Sequence, residues 1–206
     1  MTRQPVFSEG LFVSDLRIGI ILGSTRPGRN GEQVAKWVLE QATLREGVEY
    51  ELVDLLDYNL PHLDEAITAS QANYQNDHTK VWAAKIAELD GFVFVTPEYN
   101  HSTSGALKNA IDYLYAEWNN KAAGFVSYGV AGGTRAVEHL RLIVGELQIA
   151  DVRAQLALTF AGDFEGYTTF APAPQQAAAL GVVLDQVESW SAALQPVRAA
   201  KAAAAA

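Results

Sequence analysis

The sequence predicts a doubly wound α/β domain built on a five-stranded parallel sheet. Three observations predict it: short apolar runs typical of strands, stretches with apolar residues at helical spacing, and regular alternation of the two along the chain. Such alternation requires right-handed crossovers, which place helices on both faces of the sheet. In sheets of this kind ligands bind outside the carboxyl ends of the strands.

The predicted strands are short apolar runs, each bounded by polar or small residues. The third contains Phe92-Val93-Phe94-Val95, which is apolar at every position, as expected for a central strand covered on both faces. The five runs cover residues 18–22, 50–53, 91–96, 123–128 and 152–159.

A predicted helix follows each strand, because apolar residues recur there at intervals of three and four. The marking positions, helix by helix, are Val34, Trp37, Val38 and Ala42; Val81, Trp82, Ile86 and Leu89; Leu107, Ile111 and Leu114; Val137, Leu140, Val144 and Leu147; and Leu180, Val183, Leu184, Val187, Trp190 and Leu194.

The 206 residues predict one domain, with no internal repeat or linker. Residues 1–15 lack the pattern of a signal peptide and are expected to form a flexible arm. The alanine-rich tail, residues 199–206, is interpreted as a frayed helix end or an artificial extension.

Composition excludes several classes of function. Hydrophobic residues make up 49% of the chain and charged residues 19%, and no apolar stretch reaches the roughly 18 to 20 residues of a membrane span. The net charge of −9 argues against binding to nucleic acid. The absence of cysteine excludes disulfides, thiolate metal sites and cysteine nucleophiles, and it fits a cytoplasmic protein.

The segment GSTRPGRNG, residues 23–31, joins the first strand to its helix and predicts an anion site. A helix N-terminus offers free amides and a positive dipole end to a phosphate. Ser24 and Thr25 can donate hydrogen bonds, and Arg26 and Arg29 can add charge. It is neither a P-loop nor a spaced-glycine dinucleotide motif. An ordinary glycine-rich turn uses the same residue types and is the alternative.

Two further loops are expected at the same rim. After the third strand, Pro97 fixes a backbone dihedral and Tyr99 offers a flat face, which would suit a heteroaromatic ligand. The alternative is a capped loop, with Ser104 as helix N-cap and Tyr99 in the core. After the fourth strand, residues 129–133 contain three glycines, which allow close approach of a ligand or simply form a flexible link.

On these loops the chain resembles the NADPH-dependent FMN reductase family, flavodoxin-like proteins that include quinone, azo-dye and chromate reductases. The matching motifs are GSTRPGRNG, PEYNHSTSGALKNAIDYL and SYGVAGGTRAVEHLR, in that order. The resemblance extends over roughly residues 17–194 and implies a flavodoxin-like sheet with strand order 2-1-3-4-5.

The resemblance also implies a set of FMN-binding residues. The phosphate is expected at Ser24, Arg26, Arg29, Asn30 and Gly31. The flavin ring is expected beside Pro97, Glu98, Tyr99 and Asn100, with its pyrimidine end beside Ser127, Tyr128, Gly129, Gly132 and Gly133.

The implied activity is transfer of hydride from NADPH or NADH, through FMN, to a quinone, a flavin or a similar small acceptor in a ping-pong cycle. The cofactor carries the chemistry, so no catalytic side chain is required. His101 could move a proton, although hydrogen bonding within its loop is the other interpretation. A flavodoxin-type electron carrier without nicotinamide turnover, and a binding domain without flavin, are the competing functions.

The resemblance also implies an oligomer. Relatives usually form dimers, which implies a homodimer or a dimer of dimers with Tyr113, Leu114 and Trp118 as contacts; Trp118 could instead pack in the core.

The group formed by His62, Asp64 and Glu65 matches no metal-binding spacing and is interpreted as a solvated loop. No metal is expected.

Overall fold

The computed structural model describes residues 16–205. Its main sheet has five strands, all parallel, in the order β2-β1-β3-β4-β5. The strands are β1 Leu16–Leu22, β2 Val48–Asp54, β3 Gly91–Pro97, β4 Ala122–Gly129 and β5 Ala150–Thr159. The predicted fold class and strand order are confirmed.

Helices cover both faces of this sheet. In chain order they are α1 Gly31–Ala42, α2 Leu55–Tyr58, α3 Asp77–Ala87, α4 Gly105–Asp112, α5 Thr134–Glu146, α6 Phe160–Asp163 and α7 Gln175–Ala205. Helices α1 and α7 pack on one face, and α3, α4 and α5 pack on the other. All five predicted helices are therefore present.

Strand β3 shows why the sequence demands two helical layers. Phe92 and Phe94 point into the core beneath α3, α4 and α5, whereas Val93 and Val95 point toward α1 and α7. All four side chains are completely buried. Because neighbouring side chains on a strand alternate between faces, a strand that is apolar throughout needs cover on both sides.

Several short elements lie outside the predicted pattern. Besides α2 and α6 they are a 3₁₀ turn at Ala69–Gln71 and a two-stranded hairpin, β6 Phe164–Glu165 and β7 Thr169–Phe170. The alanine-rich tail continues α7 as far as Ala205, as a helix end would. The predicted arm, residues 1–15, lies outside the described residues. Within residues 16–205 no helix is both long and apolar enough to cross a membrane.

The predicted dimer contacts are wrong. Tyr113, Leu114 and Trp118 are each exposed by 1% or less, so they cannot reach a partner surface. Helix α4 ends at Asp112, and Trp118 lies in the following turn, where its ring packs edge-on against Phe92 at 4.9 Å between centroids. The interpretation of Trp118 as a core residue is the one that the structure confirms.

Candidate active site

The loops after β1 and β3 and the end of β4 meet at the carboxyl edge of the sheet around a cavity of about 350 Å³. Seven predicted site residues line it: Arg26, Arg29, Asn30, Pro97, Glu98, Tyr99 and Tyr128. The other predicted site residues lie at the same edge of the sheet without lining this cavity: Ser24, Gly31, Asn100, Ser127, Gly129, Gly132 and Gly133.

A tight turn shapes the loop after β1. The amide of Arg29 donates to the carbonyl of Arg26 at 3.1 Å, with Pro27 and Gly28 between them. Gly28 has φ +69°, and proline followed by a glycine with positive φ is the pattern of a type II turn. The turn leaves Arg26 exposed at the cavity, and its guanidinium makes no ion pair with any residue from 16 to 205.

Arg29 has a different environment from Arg26. Its guanidinium forms a bidentate pair with the carboxylate of Asp54 at the end of β2 and also donates to the carbonyl of Ser24 at 2.5 Å. The Arg29 side chain is 7% exposed and that of Asp54 18%. Arg29 therefore fastens the loop to the neighbouring strand, and its predicted contact with a phosphate stays a prediction.

Tyr128 supplies an unused donor beside the start of α1. Its buried hydroxyl has no hydrogen-bond partner among the described residues. A Cβ on Gly31 would collide with this hydroxyl, which places it against the helix N-terminus. Burial raises the pKa of Tyr128, so the phenol stays protonated and can donate. The first amides of a helix also lack intrahelical partners, and the Asn30 side chain does not cap them.

The loop after β3 is folded as a miniature hairpin. Tyr99 and Ser102 exchange backbone hydrogen bonds of 2.9 and 3.2 Å, and the two residues between them, Asn100 and His101, have φ of +49° and +75°. Two successive positive φ values define a type I′ turn. The Tyr99 hydroxyl lies 2.9 Å from Ser24 Oγ, which joins this loop to the loop after β1.

Both interpretations of this loop hold in part. Ser104 is the N-cap of α4: its Oγ accepts from the amide of Leu107 at 3.0 Å and donates to the carbonyl of Gly23. Tyr99, in contrast, is half-buried at the cavity and is not a core residue. The cap fixes the loop, and the loop in turn presents Tyr99.

Arg135, in the first turn of α5, was not among the predicted site residues. Its guanidinium pairs with the nearly buried carboxylate of Glu98, and its Nη1 lies 3.1 Å from His101 Nδ1. Because a guanidinium only donates, Nδ1 of His101 accepts and the ring proton of the neutral imidazole is assigned to Nε2. Arg135 thereby connects the loops after β3 and β4.

The loop after β4 is an ordered turn, so the flexible-link alternative is wrong. The amide of Gly132 donates to the carbonyl of Gly129 at 3.1 Å, and Ser127 Oγ donates to the carbonyl of Gly132 at 2.6 Å. Gly133 has φ +69°, and a Cβ there would lie 2.7 Å from the Cβ of Ser127 and 2.9 Å from the amide nitrogen of Tyr128. The glycines are needed for the turn itself.

The group at residues 62–65 organises its own loop. Asp64 accepts from the hydroxyl of Tyr113 at 2.9 Å and lies 3.0 Å from His78 Nε2. Glu65 accepts from the amides of Gln75 and Asn76, and these hydrogen bonds hold its pKa below the usual range. Across residues 16–205 no three acidic or histidine side chains are placed to hold a metal ion.

Sequence reasoning also missed one wall of the cavity. Phe160, Tyr167 and Thr168 line it from the segment that follows β5. The only local signal is Gly166-Tyr167, a glycine beside an aromatic residue, which predicts a turn but not where the turn packs.

The fold and the cavity define a class of protein: a flavodoxin-like α/β domain in which an arginine-containing loop before the first helix borders a partly aromatic cavity. The chain belongs to the NADPH-dependent FMN reductase family, which it matches over residues 16–163. It is 41% identical over 149 residues to an NAD(P)H-dependent FMN reductase of Schizosaccharomyces pombe, covering 71% of this chain and 74% of the relative. It is 33% identical over 138 residues to the quinone reductase of Escherichia coli, covering 63% and 69%.

A solved structure agrees on the fold. The flavoenzyme NAD(P)H:(acceptor) oxidoreductase FerB of Paracoccus denitrificans superposes with a TM-score of 0.67. The match covers 85% of this chain and 97% of FerB, at 21% identity. At this identity the likeness concerns the architecture alone.

Proposed function

We propose that the protein is an NAD(P)H-dependent oxidoreductase that holds FMN at this rim and reduces a small acceptor such as a quinone or a flavin. Family membership supports the class of reaction. The observation that carries the proposal is the presence of two unused donors, the Arg26 guanidinium and the Tyr128 hydroxyl, at one cavity beside the α1 N-terminus.

The residues present fit FMN. A phosphate dianion at the start of α1 would receive hydrogen bonds from Arg26, Tyr128 and the free helix amides, and it would supply the missing partner of the buried phenol. Pro97 and Tyr99 offer flat surfaces along the adjoining wall of the cavity. FMN, when bound, supplies the electron sink for hydride transfer that no amino-acid side chain provides.

The protein's part in the reaction is to bind and to orient. Arg29 and Asp54 hold the phosphate loop, the bond between Ser24 and Tyr99 holds the ring wall to it, and Arg135 holds Glu98. A site fixed in this way loses little entropy when ligands bind, and it keeps the reacting groups aligned.

His101 is a candidate proton donor at this rim. Its exposed imidazole is fixed by Arg135 with the proton on Nε2. The hypothesis that it protonates the reduced acceptor predicts that His101→Gln changes the pH dependence of quinone reduction. An unchanged profile from about pH 5.5 to 8.5 would remove that role.

FMN binding and nicotinamide turnover test the proposal separately. Purified protein is expected to be yellow or to quench FMN fluorescence on titration, and FMN should raise its melting temperature. It should then oxidise NADPH or NADH when a quinone is added. Binding without nicotinamide oxidation would favour an electron carrier, and protein that neither binds FMN nor is stabilised by it would contradict the whole assignment.

We also propose a homodimer or a dimer of dimers, and a cytoplasmic location. Val130 and Leu142 support an interface near α5, because these apolar side chains are 82% and 78% exposed. Light scattering of the wild type and of Leu142→Glu tests the oligomer: the charge should shift the population toward monomer. Cell fractionation of the native protein tests its location.

A further inference from the structure

One wall of the cavity comes from a segment beyond the part of the chain that matches the family. The match ends at residue 163, whereas the hairpin of β6 and β7 spans Phe164–Glu165 and Thr169–Phe170. Tyr167 and Thr168, at its tip, face the phosphate loop across the cavity, and Phe160 lies beside them.

The hairpin tip presents an aromatic ring at some conformational cost. The amide of Thr168 donates to the carbonyl of Glu165 at 3.2 Å, and both residues between them, Gly166 and Tyr167, have positive φ, +56° and +63°. A bulky residue is uncommon in that conformation. Tyr167 is 62% exposed, so burial of its ring within the domain does not account for this unfavourable backbone conformation. Its ring meets Phe160 edge-on at 6.1 Å between centroids.

The first turn of α1 fastens the hairpin. Asn30 Nδ2 donates to the carbonyl of Tyr167 at 2.9 Å, and Gln33 Nε2 donates to the carbonyl of Thr168 at 2.9 Å. Gln33 Oε1 accepts in return from the amide of Phe170 at 3.0 Å. The hairpin is thus attached to the same helix terminus that bears the anion-binding amides.

The base of the hairpin is anchored independently. Asp163 is 2% exposed, and its carboxylate accepts from the amides of Thr159 and Ala173 at 2.8 and 3.2 Å and from Gln176 Nε2 at 2.8 Å. The anchors at β5 and α7 hold the base, and the hairpin is held to α1 by three hydrogen bonds of amide side chains and by the edge-on contact of Phe170 with Trp37 at 5.5 Å. Residues 165–169 are all exposed, so the tip can separate from α1 without uncovering a core residue.

We propose that this hairpin is a clasp that slows the release of FMN, with Tyr167 covering the bound cofactor and Gln33 keeping the clasp shut. The inference rests on the proposed function. FMN seated between the phosphate loop and the hairpin leaves only when the tip separates from α1. The clasp thus makes FMN a retained prosthetic group rather than an exchanging substrate.

The test is the dissociation rate of FMN from the loaded protein, followed by recovery of flavin fluorescence after dilution. Tyr167→Ala and Gln33→Ala should each accelerate release by about tenfold, the effect of losing one aromatic contact or two amide hydrogen bonds. Tyr167→Phe keeps the ring and should restore slow release. Gln33 does not line the cavity, so faster release from Gln33→Ala would come from the loosened hairpin and not from a lost contact with FMN. Melting of each apoprotein confirms that the variants are folded.

The outcomes distinguish the clasp from the function. Wild-type protein that binds FMN, with both alanine variants releasing it at the wild-type rate, overturns the clasp and leaves the proposed function standing. Fast release from Tyr167→Phe as well would show that the ring is not the covering group and would also overturn it. Wild-type protein that does not bind FMN removes the proposed function, and the clasp falls with it.

Discussion

Arg26 and Arg29 lie three residues apart in one loop, yet only the replacement of Arg29 by alanine should destabilise the fold, whereas either replacement should weaken FMN binding. Arg26 is exposed and without an ion pair among the described residues, so Arg26→Ala should leave the melting temperature of the apoprotein unchanged. Loss of a charge-assisted hydrogen bond of about 1.5–3 kcal/mol should raise the Kd for FMN roughly 10- to 150-fold.

Arg29→Ala should instead destabilise the fold. It leaves the Asp54 carboxylate, 18% exposed, without its cation, and breaking such a pair costs about 3–4 kcal/mol. At roughly 2–4 °C per kcal/mol for a chain of this size, the melting temperature should fall by about 6–16 °C. FMN affinity should fall as well, because the loop loses its attachment to β2.

Calorimetry of the apoproteins and fluorescence titration with FMN measure both quantities. The double variant Arg29→Ala, Asp54→Asn removes the orphaned charge and should recover part of the lost stability, while Asn can still cap α2 through the amide of Leu56. The reasoning is refuted if Arg29→Ala melts like the wild type, or if Arg26→Ala binds FMN as tightly as the wild type.

Three further substitutions probe other features. Tyr128→Phe should leave the stability of the apoprotein unchanged or raise it, because it removes a buried hydroxyl that has no partner among the described residues, and it should weaken FMN binding about tenfold; a lower melting temperature would contradict this. Gly133→Ala should cost about 2–4 kcal/mol in urea unfolding, from its positive φ and its overlap with Ser127. Lys121, 4% exposed, has its pKa lowered by burial to about 7, so the folded state binds fewer protons than the unfolded state up to about pH 10.5. The free energy of unfolding of the wild type should therefore rise by up to about 4 kcal/mol between pH 7 and 10.5, relative to that of Lys121→Met. Parallel plots of unfolding free energy against pH for the two proteins would contradict this.

The sheet could be predicted because the residues that are buried on its faces are apolar in a recognisable pattern. Phe92 to Val95 leave no polar face, and the helical spacing of Leu180, Val183, Leu184 and Val187 describes the stripe that α7 buries. The strand order did not follow from such patterns. It came from the resemblance, since apolar runs do not specify which strands are neighbours.

The site was less predictable because its partners lie far apart in sequence. Arg26 and Arg29 look alike in the motif, and only the position of Asp54, 25 residues after Arg29, gives Arg29 an ion pair and leaves Arg26 without one among the described residues. Tyr113 and Trp118 were mistaken for interface residues because an apolar residue at helical spacing has the same pattern whether a core or a partner buries it.

Hydrogen bonds join the loops that surround the candidate site. Ser104 caps α4 and at the same time binds the carbonyl of Gly23, and Tyr99 binds Ser24, so the loops after β1 and β3 form one unit. Arg135 adds the loop after β4 through Glu98. These contacts join the three loops to one another, whereas the hairpin tip is attached to α1 through the side chains of Asn30 and Gln33. Ligand exchange should therefore depend on the hairpin, while affinity depends on Arg26, Tyr128 and the α1 terminus.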